Sequence, residues 1–543
     1  MRNLLLVSAA LIFSACTAEQ QSIQSPNPFG PATSEYAKIV ETEFAAKDWV
    51  GKTLPELSDA LSSGDVTSSS LTRSYLDRIE TIDRSGPHLQ SVLSINPDAI
   101  AQAEASDARR KNDEVLGPLD GVPILFKDNI ETLDPIATTA GSYALKDNIT
   151  GRDSPLVAGL RAQGAVILGK TNLSQWANFR SGESVSGWSA VGGQVRNPHM
   201  LDRSPCGSSS GSGAAIAASL AAGAVGTETN GSIICPSNVN GIVGFKPTVG
   251  LVSQKYIVPI SATQDTAGPM TKTVRGAAMM LEAMDDQDVD YAAMLDASAL
   301  NGKRVGVMRF ADGSNDDIIE RFNASLKVME AAGATLVEID AFSLDVENYG
   351  QKSLDLLLYE FKAGMDEYLG EAAPAVKARS LELLIAFNES EPRETTVFDQ
   401  DLFEQAQAKG PLSDETYLTA KADAQRGTGI DGIDKLMAEN NVDMLVSPSG
   451  PVASRIDPVN GDVWPAWAGA GYLAAVAGYP HITVPMGDVH GVPIGFSIMA
   501  GKAQDADVLS YGYAFEQIAG KRVEPKYLRS AEDRPELKKA MRP

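Results

Sequence analysis

Residues 164–171 read GAVILGKT and satisfy G-x-x-x-x-G-K-[ST], the pattern of a loop that cradles nucleotide phosphates. Such a loop works only between a strand and a helix, with its backbone N–H groups turned toward the phosphates. Here the four middle residues are Ala165, Val166, Ile167 and Leu168, an unbroken apolar run that reads as a buried strand. The preceding SPLVAGLRAQ has helical spacing, so no strand leads into the motif. Lys170 is therefore expected to follow a strand, and the chemistry must lie elsewhere.

The second cluster of reactive residue types is SPCGSSSGSGAA (204–215), followed by GTETNGSIICPSNVNGIVGFKPT (226–248). Glycine and serine at this density bury little apolar surface. They serve where backbone must approach something closely or adopt unusual dihedrals. Gly207-Ser208-Ser209-Ser210-Gly211 also matches G-x-S-x-G, the nucleophile elbow of α/β-hydrolases. Ser209, Asp443 and His481 would then follow in the required chain order. An elbow must cap a strand, however, and RNPHMLDRSPC (196–206) holds two prolines and no apolar alternation. Without a histidine base, a serine nucleophile needs another activator. Lys127 is the candidate, because it directly follows Val122, Ile124, Leu125 and Phe126 in GPLDGVPILFKDNIET (117–132). Burial disfavours an ammonium ion and lowers its pKa toward neutrality. The plain alternative is a lysine that leaves the strand end and snorkels to water.

The elements that must position these residues are written along the rest of the chain. Helical patterns run to about residue 113. Strands and helices then alternate: VPILF (122–126), a helix near 154–163, VILG (166–169), a helix near 172–179, and a small-residue helix over 212–223 followed by AVGTE. Further apolar strands are KRVGVM (303–308), ATLVEI (334–339), DMLVSP (443–448), HITVPM (481–486) and PIGFSIM (493–499), with a helix at about 316–332. This alternation predicts an α/β fold with helices covering a central sheet. Residues 345–440 read as a mostly helical, polar insertion or cap. The 543 residues carry no repeat or internal linker after residue 35, so one domain over 35–535 is expected.

The N-terminal MRNLLLVSAALIFSAC has a positive start at Arg2 and an apolar core from Leu4 to Phe13, too short to span a bilayer. Residues 1–15 therefore read as a secretory signal peptide. Cys16 after two small residues resembles a bacterial lipobox, so Cys16 is expected to carry a lipid anchor, with residues 16–34 as a flexible tether; the plain alternative is ordinary cleavage nearby, after Ala18, giving an unanchored periplasmic protein. The location expected is the periplasm, on a membrane-anchored lipoprotein. Cys206 and Cys235 could form a disulfide, but two cysteines do not decide it. The four histidines, at 88, 199, 481 and 490, stand singly and no metal-ligand spacing appears. With 46 basic against 70 acidic residues the net charge is −24, which argues against a nucleic-acid partner.

GPLDGVPILFKDNI, GAVILGKTNLSQWA, SPCGSSSGSGAA and GTETNGSIICPS, in that order, resemble the amidase signature family. QDTAGPM (264–270), AGYPHITVPMG (477–487) and GVPIGFSIM (491–499) extend the likeness over most of residues 35–530. SPCGSSSGSG, TETNGSIICP and YEFKAG (359–364) are most similar to its peptide-amidase branch, which removes the C-terminal amide of peptides. The resemblance implies a large twisted mixed β-sheet covered by helices on both faces. It implies an acyl-enzyme on Ser232, with Ser208, after a cis Gly207–Ser208 bond, relaying a proton to the base Lys127. Backbone N–H groups of Thr229, Asn230, Gly231 and Ser232 would form the oxyanion hole, and Ser209 would support the network. Neither cofactor nor metal is implied, and the substrate would be a peptide amide or a small amide.

Two departures matter. Many members have Gly-Gly before the nucleophile and Arg two residues after it, where this chain has Asn230 and Ile234. Asn tolerates a left-handed backbone, so the turn is expected to survive. Two other readings share the motifs: an amidotransferase A-type subunit that releases ammonia for a partner, and an aryl-amide or ester hydrolase of the same family. A secretory signal and an acidic surface argue against the first.

Overall fold

The structure is a computed structural model that describes residues 49–541, except 286, 288, 465 and 466. The expected signal peptide (1–15), Cys16 and tether (16–34) lie outside the described residues.

One sheet of eleven strands organises the chain. Its strands are β1 (Val92–Ile95), β2 (Pro123–Lys127), β3 (Val166–Thr171), β6 (Gly223–Glu228), β7 (Val243–Lys246) and β8 (Thr266–Thr271). The second half of the chain adds β9 (Arg304–Met308), β10 (Thr335–Ile339), β11 (Met444–Pro448), β12 (His481–Val489) and β13 (Val492–Met499). A separate hairpin pairs β4 (Trp188–Ser189) with β5 (Gly193–Gln194). The spatial order is β1-β3-β2-β6-β8-β7-β12-β13-β11-β9-β10. Parallel pairs β3–β2–β6 and β11–β9–β10 flank a central antiparallel block, so the sheet is mixed. In β2, β3, β6, β7, β8, β11 and β13 every residue is buried. Successive side chains on a strand point to opposite faces, so both faces of the sheet are covered, as expected.

Residues 345–440 hold the helices Tyr349–Glu371, Leu381–Ser390, Pro392–Thr395, Asp401–Gln407, Glu415–Thr428 and Lys435–Asn440. This part is less polar inside than its sequence suggests. Leu358, Phe361, Met365, Leu369, Leu381, Leu384 and Phe403 form an apolar cluster that also takes in Trp176 and Phe179.

Several local expectations are corrected. Helical pattern to residue 113 is interrupted by β1, whose Val92, Ser94 and Ile95 pair antiparallel with the end of β3. The helix expected near 172–179 is only a 3₁₀ turn at Gln175–Asn178, and Trp176 and Ala177 take left-handed dihedrals within it. The helix expected over 212–223 spans Ser210–Ala217 and ends before Ser219, which has φ +59°.

The nucleotide-like motif has a structural explanation. Val166–Thr171 is strand throughout, so Lys170 lies inside β3 rather than after it. Its Nζ donates to the carbonyl of Ile130 and, at 2.8 Å, to Thr138 Oγ1. Gly169 sits where the β2–β3 register shifts, opposite Ile95 of β1. A Cβ there would overlap the backbone oxygen of Ser94. The second glycine of the motif therefore lets two strands meet, and the lysine satisfies buried carbonyl and hydroxyl oxygens. Gly169→Ala is expected to destabilise the protein by ~1–3 kcal/mol, the usual cost of forcing atoms into a filled core. Thermal unfolding measures it, and an unchanged melting temperature would refute the close-approach role.

Candidate active site

Lys127 is the last residue of β2 and is fully buried, so the apolar strand does not release it to solvent. Its Nζ lies 2.7 Å from Ser208 Oγ, 2.8 Å from Thr227 Oγ1 and 3.3 Å from the Thr227 carbonyl oxygen. Burial pulls its pKa down to about 7, against the opposing charges of Asp265 and Glu228. A neutral amine has two N–H donors and one lone pair. With both N–H groups on Thr227, the lone pair faces the Ser208 hydroxyl, the arrangement of a base accepting a proton.

Ser208 follows a cis Gly207–Ser208 peptide bond, and its carbonyl accepts from the Ser174 N–H at 3.0 Å. Ser209 is held on both sides by β6. Its hydroxyl donates to the Thr227 carbonyl at 3.0 Å and accepts from the Thr227 N–H at 3.1 Å. The Ser209 N–H donates to the carbonyl of Ser232 at 3.1 Å, which ties the two serine segments together. Among the described residues no hydrogen bond joins Ser208 Oγ to Ser232 Oγ, so the backbone link is the one formed.

Ser232 lies between β6 and the helix Ile234–Asn240 and is 8% exposed. The turn is fixed by Glu228, whose Oε2 accepts from the N–H groups of Ile233 (2.7 Å) and Ile234 (3.0 Å). These are donors at a helix start that a carboxylate satisfies well. By contrast, the N–H groups of Thr229, Asn230, Gly231 and Ser232 have no protein acceptor among the described residues. Four consecutive unclaimed donors beside a serine hydroxyl can receive a developing oxyanion. The left-handed position in this turn belongs to Gly231 (φ +82°), and Asn230 does not need the conformation expected of it. Ile234, at the family's arginine position, is buried and apolar.

Asp265, in the stretch QDTAGPM, is another member of this assembly that residue types did not reveal. Its Oδ1 accepts from Thr229 Oγ1 at 2.6 Å, while Oδ2 accepts from the N–H groups of Ile260 and Ser261. Burial raises its carboxyl pKa to about 6. Asp265 also lines a cleft of about 320 Å³ together with Tyr256, Ile257, Glu360, Tyr368 and Leu412. Asn129 and Thr227, likewise missed, meet at 3.0 Å and complete the polar surroundings of Lys127. Only their neighbourhood in the two signature stretches could have flagged them.

The competing elbow does not assemble. His481 lies in β12, bonded through Nε2 to Ser497 Oγ at 2.7 Å, and burial lowers its pKa to about 3. Asp443 accepts from the N–H of Arg304 at 2.8 Å, and Ser209 is committed to Thr227. No strand leads into residue 207. Among the described residues no group of three or more His, Cys, Asp or Glu is placed to hold a metal ion.

The amidase family model matches residues 70–509. A probable amidase of Arabidopsis thaliana is 35% identical over 97% of this chain and 97% of its own length. The A-type component of the glutamyl-tRNA(Gln) amidotransferase from Halorhodospira halophila is 33% identical over 86% of this chain and 97% of its own. Among solved structures, the native peptide amidase of Stenotrophomonas maltophilia superposes with a TM-score of 0.82 at 42% identity, covering 87% of this chain and 98% of that one. The chain belongs to the amidase signature family and is a hydrolase acting on amide bonds.

Proposed function

We propose that this amidase removes the carboxamide from the C-terminus of peptides, or from small amides, through an acyl-enzyme on Ser232. The observation that carries the mechanism is the buried Lys127 amine within 2.7 Å of Ser208 Oγ. Neutral Lys127 accepts the Ser208 proton as Ser208 accepts that of Ser232, and Ser232 Oγ attacks the carbonyl carbon. The N–H groups of residues 229–232 take the oxyanion. When the tetrahedral adduct collapses, the C–N bond breaks and the proton returns from Lys127 through Ser208 to the departing ammonia. Water then attacks the ester by the same relay and frees the acid and Ser232.

The 42% identity to a peptide amidase supports the substrate class. The amidotransferase relative suggests ammonia release to a partner as a second reading. The net charge of −24 is unfavourable for tRNA. We further propose export, with Cys16 lipidated.

Ser232→Ala is expected to abolish turnover and covalent labelling by a fluorophosphonate. Lys127→Ala should lose ~10²–10⁴-fold in kcat, and Lys127→Ala with Ser208→Ala should cost little more than either alone. His481→Ala should keep the relay. Activity in Ser232→Ala with loss in both Ser209→Ala and His481→Ala would overturn the mechanism.

The pH dependence follows from the amine. Its folded pKa is about 7, so the working neutral form is lost as pH falls through that value and persists at alkaline pH. The logarithm of kcat/KM should rise with unit slope below about pH 7 and then level off. A bell falling before pH 9 would contradict a lysine base.

Across a panel of peptide amides, anilides and esters, ammonia release from peptide amides should give the highest kcat/KM. Faster arylamine release would replace the substrate assignment. Cys16→Ala should move the protein out of the membrane fraction, whereas an unchanged distribution would remove the anchor.

A further inference from the structure

The disulfide between Cys206 and Cys235 sits at the catalytic centre itself. Cys206 lies two residues before Ser208, and Cys235 lies three residues after Ser232. Its Cα atoms are 5.9 Å apart and both cysteines are buried, packed with Met200, Val239, Ala453 and Val492. We propose that this bond is a positioning element for the amidase reaction, holding the Ser208 and Ser232 segments in register. The proposal rests on the serine relay of the preceding section.

Neither serine is carried by a long element. Ser208 precedes a helix of eight residues, and Ser232 precedes one of seven. The segment that enters Ser208 contains no strand and turns at Cys206, which has φ +53°. Noncovalent ties also join the two segments, among them Asn197 Nδ2 donating to the Val239 carbonyl at 2.9 Å and the Ser209 hydroxyl bonded to Thr227, but the disulfide is the covalent one. Ser209 N–H donates to the Ser232 carbonyl, and Asn240 Nδ2 donates to the carbonyl of Pro205 at 3.0 Å. Cys235 N–H closes the nucleophile turn onto the Gly231 carbonyl at 2.8 Å, so the cysteine that carries the bond also shapes the oxyanion turn. The hydrogen bond that must form in the reaction, between Ser208 and Ser232 hydroxyls, spans the two segments that the disulfide joins. Misplacing reacting groups by about 1 Å can cost about 10²-fold in rate.

Opening the bond requires an external dithiol. The S–S bond breaks, two cysteine thiols form, and the dithiol supplies two electrons and two protons as it closes to its own disulfide. Oxidation restores the original bond.

The test is the Cys206→Ala/Cys235→Ala double variant of the full chain, read by fluorophosphonate labelling of Ser232 and by turnover of a peptide amide. Label amplitude counts folded centres, and the rate per labelled centre reports their geometry. A fall of about 10-fold or more in that rate, with KM within about 2-fold of the parent, is expected. Dithiol-reduced parent protein should show the same fall and recover it on reoxidation. An unchanged labelling rate per centre refutes the proposal, even if fewer centres are folded. Absence of peptide-amide turnover in the parent would strike the substrate reading instead, because labelling would still report the clamp.

Discussion

Everything at this centre depends on keeping an amine dry. Lys127 ends a strand whose residues are all buried, and its direct partners are neutral: Ser208 and Thr227. Solvation lost on burial is not recovered by a contacting carboxylate, so the neutral form is favoured. Asp265 and Glu228 attract the ammonium, but each is committed to backbone or hydroxyl donors elsewhere. Their charges temper the shift without removing it. Burial alone does not make a base, however. Lys170 and Lys246 are equally buried and are also pulled down, each to about 8. Lys170 donates to Ile130 and Thr138, and Lys246 to Pro247. What sets Lys127 apart is the serine hydroxyl that the cis-linked segment brings to it.

The turn over residues 229–232 follows a different logic, in which donors are withheld from the protein. Glu228 takes the N–H groups of Ile233 and Ile234 and so pins the turn at its far end. Asp265 pins the near end through the Thr229 hydroxyl. Among the described residues the four N–H groups between these anchors have no protein acceptor. Such preorganisation costs no rearrangement as charge develops.

Strands made of long apolar runs were legible: β2, β3, β9, β10, β11, β12 and β13 all lie within a residue or a few of their expected places. Those missed carry the signal weakly. β1 is VLSI, with a serine in a four-residue strand; β7 is VGFK; β8 is TAGPMT, with a glycine and a proline. Their burial comes from neighbours in the sheet, not from their own composition. The site was legible to a similar depth. A buried lysine beside a serine-rich stretch could be reasoned from residue types, but Ser232 needed the family's motif. Thr227, Glu228 and Asp265 were hidden because their partners, a lysine amine, a neighbouring hydroxyl and backbone N–H groups, are brought to them by the fold, and no side-chain pattern announces that work.

Two motifs in this sequence point to chemistries that the fold does not build, and both mislead for one reason. Phosphate loops, hydrolase elbows and tightly packed sheets all require small residues where backbones meet. In GAVILGKT, Gly169 admits β1 against β3, and Lys170 and Thr171 are spent on buried partners, Thr171 Oγ1 on Ser212 at 2.8 Å. In GSSSG, Ser209 is spent on Thr227, and the hydroxyl beside the Lys127 amine is that of its neighbour Ser208. A motif written in glycines and hydroxyls records close approach before it records function. What decides function is whether a strand enters the turn and whether the hydroxyl or amine is left with a partner that chemistry can use.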